Sequence, residues 1–361
     1  MTEGSRTQPT WSAADFDYPL PEALIAQTPT AERGASRMLV VDRTAGGATH
    51  ASPQQASPLR DGWFTEITDL IPSDDLVVVN STRVRHARLH GTRPTGGPAE
   101  VLLIHPAPDD TWIAMGSPGS AMKPGKRIAL SASAAIETLT VNPDGTRRVR
   151  FVGMPATEAI ARFGQLPLPP YIVRAPTADD ELRYQTVYAD REGSVAAPTA
   201  GLHFTNDLLD ALQARGVTVA TLDLEVGPGT FRPVEGEDIT AHRMHAERFE
   251  IPPETAAAIA ACRSRAGQVW AVGTTVVRAL ESAANDDGTV REGSSETTLL
   301  VAPGFHFRVV DHLLTNFHLP RSTLLMLVAG FAGHHLMMTA YRHAVAAGYR
   351  FYSYGDAMLI L

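Results

Sequence analysis

The sequence predicts an α/β protein: a mostly parallel sheet flanked by helices, with a small β-barrel domain inserted into it. Three observations lead there. From about residue 160 onward, apolar strand-like runs alternate with segments of helical period, the pattern of a sheet covered by helices on both faces. Between residues 80 and 160 the texture changes to short β-rich runs separated by Gly, Pro and Asp turns, including Lys123-Pro-Gly-Lys126 and Asn142-Pro-Asp-Gly145. The chain has 361 residues, 44% of them hydrophobic, which is apolar mass enough for a large core.

Taken in order, Met1 to Ala14 is polar, has no apolar centre, and reads as a disordered leader rather than a signal peptide. Residues 15–79 open the α/β domain. A short helix is expected from about Pro21 and must stop before Pro29. Met38 to Val41 and Leu76 to Val79 read as buried strands. Residues 44–61, rich in Gly, Ala, Ser, Pro and Gln, read as an exposed loop. The barrel, residues 80–160, takes its strands from Arg88 to Thr92, Ala99 to Ile104, Thr111 to Met115, Arg127 to Leu130, Glu137 to Val141 and Arg148 to Val152. Residues 161–361 complete the α/β domain. Helices are expected at Asp179 to Val187, Leu208 to Arg215, Pro253 to Arg265 and Thr274 to Ala283, with one or two between Leu324 and Ala347. Strands are expected at Val217 to Val226, Val269 to Val272, Leu299 to Val301, Phe307 to Val310 and Met358 to Leu361.

Composition narrows the function. The longest apolar run, Leu324 to Ala329, is far below the roughly 18 residues of a membrane span. Cys262 is the only cysteine, which excludes an intrachain disulfide and a thiolate metal cluster and points to the cytoplasm. The net charge of −8 argues against a broad nucleic-acid-binding surface. It leaves room for a local one: Arg83, Arg85, His86, Arg88, His90 and Arg93 cluster beside Asn80 and Thr82, as a limited phosphate footprint or as a solvated strand face.

Several polar stretches carry chemistry that burial does not demand. Gly193 to Thr205 combines Ser194, Pro198, Thr199, Gly201, His203 and Thr205 with almost no charge. Gly201 permits a close backbone approach, and His203 titrates near neutrality when unperturbed. Thr205 or Asn206 is a candidate N-cap for the helix that follows, and a helix N-terminus favours anions. Glu225 to Phe231, with Gly227, Gly229 and Thr230, follows a strand but lacks the spacing of a dinucleotide loop. His242, His245 and Glu247 do not match a zinc motif and suit acid–base work or recognition better than metal. Val272-Gly-Thr-Thr275 opens a helix and offers N–H groups and hydroxyls, as a ligand site or an ordinary cap. Thr315 to Ser322 is a polar–aromatic loop. Phe351 to Asp356 is either a stacking surface for a base or a core-edge aromatic cluster.

In combination these stretches resemble one family. Asn80-Ser-Thr-Arg-Val84, Ala87-Arg-Leu89, Arg183 to Tyr188, Val195 to Thr205, Gly227 to Phe231, His242 to Glu247, Val272 to Thr275, Thr315 to Pro320, Ser322 to Val328 and Tyr354 to Ile360 occur in this order. The chain from about Phe16 to its C-terminus resembles the S-adenosylmethionine:tRNA ribosyltransferase-isomerases of queuosine biosynthesis. The resemblance implies an α/β domain joined to a β-barrel. It implies S-adenosylmethionine as ribosyl donor, without a metal. The acceptor would be 7-aminomethyl-7-deazaguanine at the anticodon wobble position of tRNA, and the products epoxyqueuosine, adenine and methionine. No membrane partner is expected from the short apolar runs, and a monomer is expected.

Placed on those motifs, the chemistry assigns His203 first, then His242 and His245 with Glu247, to proton transfer. Thr199, Gly201, Thr205, Gly227, Gly229, Thr230, Thr274 and Thr275 would shape the cofactor pocket, and Asn316, His318, Tyr354 and Asp356 would hold adenine or ribose. Asn80, Thr82, Arg83, Arg88, Arg183, Tyr184 and Gln185 would meet the tRNA or the methionine carboxylate. The chain departs from the family pattern at Ser81, Arg85, His86, Asp223, Glu225, Val276 and Thr298. Those changes leave open a paralogue acting on a small nucleobase or nucleoside, and a silent binder of tRNA or S-adenosylmethionine.

Overall fold

The computed structural model describes residues 11–44, 57–227, 239 and 244–361. Gly229, Thr230 and His242 therefore lie outside the described residues. Among those described, nine strands form a large sheet. Its spatial order is Gly293–Thr297, Glu247–Ile251, Thr218–Leu224, Leu76–Asn80, Val269–Val272, His312–Asn316, Ala357–Ile360, Arg37–Val41 and Leu59–Trp63.

The four strands from Thr218–Leu224 to His312–Asn316 are mutually parallel. Beyond them the sheet becomes mixed. Helices Thr323–Ala332 and His334–Ala346 meet at 115° across Gly333, whose φ is +83°. That turn returns the chain to the end it left, so Ala357–Ile360 runs antiparallel to His312–Asn316 and parallel to Arg37–Val41. The strands at both edges are antiparallel as well.

Strand alternation places Leu39, Val41, Leu76, Val78, Ala271 and Leu313 on one face. Helices Pro253–Ser264, Thr274–Ala283, Thr323–Ala332 and His334–Ala346 contribute to the core on that side. Met38, Val40, Val77, Val79, Trp270 and Val272 lie on the other face, with helices Ile67–Leu70 and Asn206–Ala214.

Four local expectations change. The turn after Pro21 is a single 3-10 turn, Glu22–Leu24, because the Pro-rich surroundings leave no room for a helix. Strand Leu59–Trp63 falls in the segment read as loop and ends in the exposed Trp63. Leu299 to Val301 and Phe307 to Val310 are not strands. Instead, the buried Glu281 carboxylate accepts from the backbone N–H groups of Arg308, Val309 and Val310 at 2.9, 3.0 and 2.9 Å, so a side chain does the work of a ladder. Finally, Ala13 and Phe16 are fully buried and Trp11 stacks on His334, 4.6 Å between centroids, so packed structure begins within the expected leader.

The second sheet is a closed barrel in the order Arg88–Thr92, Pro98–Ala107, Thr111–Ser117, Arg147–Val152, Ala135–Val141 and Arg127–Ala129. Thr92 pairs with Ala129 to close it. Closure depends on Gly91, where a Cβ would stand 2.5 Å from Ile128 Cγ2 and 2.6 Å from the Ala129 carbonyl oxygen. After helix Ala156–Phe163, Gly164–Gln165 pairs with the other end of the first barrel strand, so strands paired in this sheet run from Arg88 to Gln165. Val101, Leu103, Ala114, Ile128, Ile136 and Val149 fill it. No single helix among the described residues is long and apolar enough to cross a membrane.

Candidate active site

The parallel strands all present their C-terminal ends to one side of the sheet, where α/β folds hold ligands. Asn80, Glu225, Gly273 and Asn316 end or follow those four strands. A cleft open to solvent lies there. Its walls include Thr199, Val226, Thr274, Thr275, Asn316 and His318, with Tyr171 and Tyr352 forming an aromatic side. The two tyrosine rings are 4.6 Å apart.

Gly273, with φ at +94°, turns the chain from strand Val269–Val272 into helix Thr274–Ala283. No side chain caps that helix, so its first N–H groups face the cleft region with the positive end of the helix dipole. Asn316 is 2% exposed; its Nδ2 donates to the Tyr352 carbonyl and to His203 Nε2, both at 3.1 Å, while its Oδ1 has no partner among the described residues. His318 shares a 2.8 Å hydrogen bond with Thr315 Oγ1, and burial pulls its pKa down to about 3.

Several residues with expected chemistry turn out to build the scaffold. His203 is buried beneath the cleft, between Ser36 Oγ at 2.9 Å and Asn316, and against the Phe64 ring. Burial, and then the neighbouring Arg33, lower its pKa to about 3, so it is neutral at pH 7. Gly201 is the close approach its motif suggested, but to protein: a Cβ there would stand 2.0 Å from Tyr188 Oη. Thr205 caps helix Asn206–Ala214, accepting from Leu208 N at 3.2 Å. Asp356 closes a turn by accepting from the backbone N–H groups of Arg37 and Arg350. Tyr354 donates to the buried Asp180 at 2.6 Å.

The motif around Asn80 is likewise a clamp. Asn80 donates to the Leu224 carbonyl and accepts from the N–H groups of Thr82 and Leu224, holding two central strands in register. Thr82 bonds Ser194 Oγ at 2.8 Å, and that hydroxyl accepts from Val226 N on the cleft wall. Gln185 bonds both backbone groups of Val84. Tyr184 is fully buried against Tyr354. Arg83 donates to the carbonyls of Ala189 and Asp190, Arg88 pairs with Glu100, and Arg183 donates to the Ala31 carbonyl. The basic cluster is thus largely committed to the protein itself and faces partly inward.

Glu247 and Arg278 form an ion pair 5% and 3% exposed. The other Glu247 oxygen accepts from Gly227 N at 3.2 Å. This carboxylate anchors the start of the Gly227 loop. His245 is exposed and lies within electrostatic reach of Asp144 in the barrel. No group of three or more His, Cys, Asp or Glu is placed to hold a metal ion among the described residues. Sequence reasoning missed Tyr171, Thr315 and Tyr352; Tyr171 carried no local signal beyond its prolines, while the other two sat inside motifs already singled out.

The family model described as "Queuosine biosynthesis protein" matches residues 13–360. The chain belongs to this family. Among similar members, a protein of Anaeromyxobacter sp. (strain Fw109-5) is 49% identical over 96% of this chain and 98% of its own length. One from Thiobacillus denitrificans is 50% identical over 96% of each chain. Both are named S-adenosylmethionine:tRNA ribosyltransferase-isomerase. A crystal structure of S-adenosylmethionine tRNA ribosyltransferase from Thermotoga maritima matches with a TM-score of 0.53 and 34% identity, covering 96% of this chain and all of that one. Within this queuosine family member, the Asp223 and Glu225 departures sit together beside the sheet edge with Glu192 and Arg191. Burial and the charge of Glu225 raise the Asp223 carboxyl to about 6.

Proposed function

We propose that this protein transfers and isomerises the ribosyl group of S-adenosylmethionine onto 7-aminomethyl-7-deazaguanine in the tRNA anticodon, giving epoxyqueuosine, adenine and methionine. The observation that carries this reading is the family match over residues 13–360, with relatives of that name aligned along almost their whole length. That extent favours tRNA as the acceptor over a small nucleoside, and an enzyme over a silent binder.

The cleft fits the donor by chemistry. Thr274 and Thr275 at the helix N-terminus suit a carboxylate, the aromatic side suits a purine, and Asn316 Oδ1 awaits a donor. S-adenosylmethionine brings a sulfonium that acidifies the neighbouring C5′ position, and adenine as leaving group. The protein's part is to hold both ends, exclude water through Tyr171, Tyr352 and Leu319, and move protons. With His203 neutral and enclosed and Glu247 ion-paired, His242 and His245 remain of the histidines proposed for proton transfer. The test is to incubate the protein with S-adenosylmethionine and tRNA carrying the aminomethyl base. Adenine and methionine should appear with the mass gain of an epoxycyclopentanediol on the nucleoside. Adenine release without any change in RNA mass would overturn the tRNA reading.

A further inference from the structure

Asn316 ends the strand His312–Asn316 and reaches the cleft from its floor. The orientation of its amide is dictated by its neighbours. The Tyr352 carbonyl can only accept, so the amide nitrogen must face it. The same nitrogen stands 3.1 Å from His203 Nε2, so its second hydrogen is used there and Nε2 must carry no proton. His203 then holds its proton on Nδ1 and donates to Ser36 Oγ at 2.9 Å. Both hydrogens of the amide are spent, and Oδ1 is turned away from them, buried and without a partner among the described residues. A buried acceptor left in that state is costly, and a ligand that donates to it recovers the loss.

We infer that Asn316 is a specificity-determining residue whose Oδ1 accepts a hydrogen bond from an N–H or O–H donor on the adenosine part of the molecule in the cleft, and that His203 and Ser36 are positioning residues that fix its amide. The inference rests on the reading of S-adenosylmethionine as the donor substrate. Tyr352, whose carbonyl holds the amide, also supplies the aromatic side of the cleft with Tyr171. The base and ribose therefore lie on the Asn316 side. The ammonium of the methionine end is disfavoured beside the positive pole of helix Thr274–Ala283. The chain Ser36–His203–Asn316 sends a neutral relay of orientation, not a proton, to the cleft.

The test is a cycle of variants against ligands, read by calorimetric binding of S-adenosylhomocysteine and of its analogues lacking the adenine 6-amino, the 2′-hydroxyl or the 3′-hydroxyl. Asn316→Ala should weaken S-adenosylhomocysteine about 10- to 100-fold, and that loss should vanish for the one analogue that lacks the donor. The identity of that analogue names the group. His203→Leu should reproduce the analogue-specific loss, and His203→Gln, whose carbonyl can still accept from the amide, should restore binding. In ¹⁵N spectra His203 Nε2 should remain unprotonated from pH 5 to pH 8. Equal losses for all analogues, or no loss, would overturn the inference while leaving the substrate reading intact. Absence of binding to the wild type would overturn both.

Discussion

The Glu247–Arg278 pair gives the sharpest test of how the cleft wall is held. Both groups are almost wholly buried and hold further partners: Gly227 N donates to Glu247, and Arg278 Nε donates to the Leu299 carbonyl at 3.1 Å. Glu247→Gln keeps an acceptor for Gly227 but strands a guanidinium charge out of water. Removing one member of such a pair costs about 3–5 kcal/mol. Arg278→Met strands the carboxylate and should cost a similar amount. The double change Glu247→Leu with Arg278→Met leaves no buried charge. Its cost should be limited to the two lost hydrogen bonds, about 1 kcal/mol each, with little penalty from the apolar replacement itself. Urea unfolding followed by circular dichroism should therefore place the double variant well above either single one, with a coupling of several kcal/mol. Yet the double variant should bind S-adenosylhomocysteine poorly, because Val226 lines the cleft and Gly227 beside it has lost its anchor. Single variants within about 1 kcal/mol of wild type, or a double variant whose loss equals their sum, would refute the assignment of this pair as an interdependent buried clamp.

Three further outcomes are expected. Gly201→Ala forces a methyl against Tyr188 Oη and should cost about 1–3 kcal/mol; adding Tyr188→Phe, which removes a hydroxyl without a partner among the described residues, should recover part of it in thermal unfolding, the Thr186 Cγ2 contact at 2.8 Å remaining. His203 has a folded pKa near 3, below its unfolded value, so the unfolded chain binds the extra proton between about pH 3 and 6.5. Stability should fall on acidification through that window, approaching about 1.4 kcal/mol per pH unit for this one group, and His203→Gln should flatten the urea-midpoint profile by one proton's worth. Asp223 has the opposite sign: its folded pKa near 6 lies above the unfolded one, so its contribution is favourable below about pH 4 and lost by pH 6 to 7. Asp223→Asn should raise the melting temperature at pH 8 and leave it nearly unchanged at pH 4; equal shifts at both would contradict the burial of that charge.

The fold was legible where a single physical rule dominates. Apolar runs such as Leu76 to Val79 can only be buried strands, and Gly- and Pro-punctuated runs between Arg88 and Val152 can only pair locally, so the barrel emerged. What stayed hidden were features set by distant partners. Glu281 gave no sign that it would bind three consecutive N–H groups some 27 to 29 residues away and displace a strand. Nor did the sequence show that two helices would meet at 115° and reverse the last strand, although Gly333 marked the spot.

The site was legible in a different sense: its motifs converge, but their roles do not follow from residue type. Histidine, glutamate and aspartate look like chemistry in a sequence because they titrate. Inside this protein His203 is enclosed on both ring nitrogens, Glu247 is neutralised by Arg278, and Asp356 is saturated by backbone donors. Each of them is polar because a backbone or side-chain group beside the cleft needs a partner that water cannot reach. Asn316 shows the reverse. It cannot titrate, and its nitrogen is spent on the scaffold, yet its oxygen has no partner among the described residues. Unmet hydrogen-bonding capacity together with position at the cleft therefore sets Asn316 apart from Tyr184 Oη and Arg278 Nη2, which are also buried without a partner among the described residues but do not line the cleft, and only the three-dimensional arrangement supplies both facts.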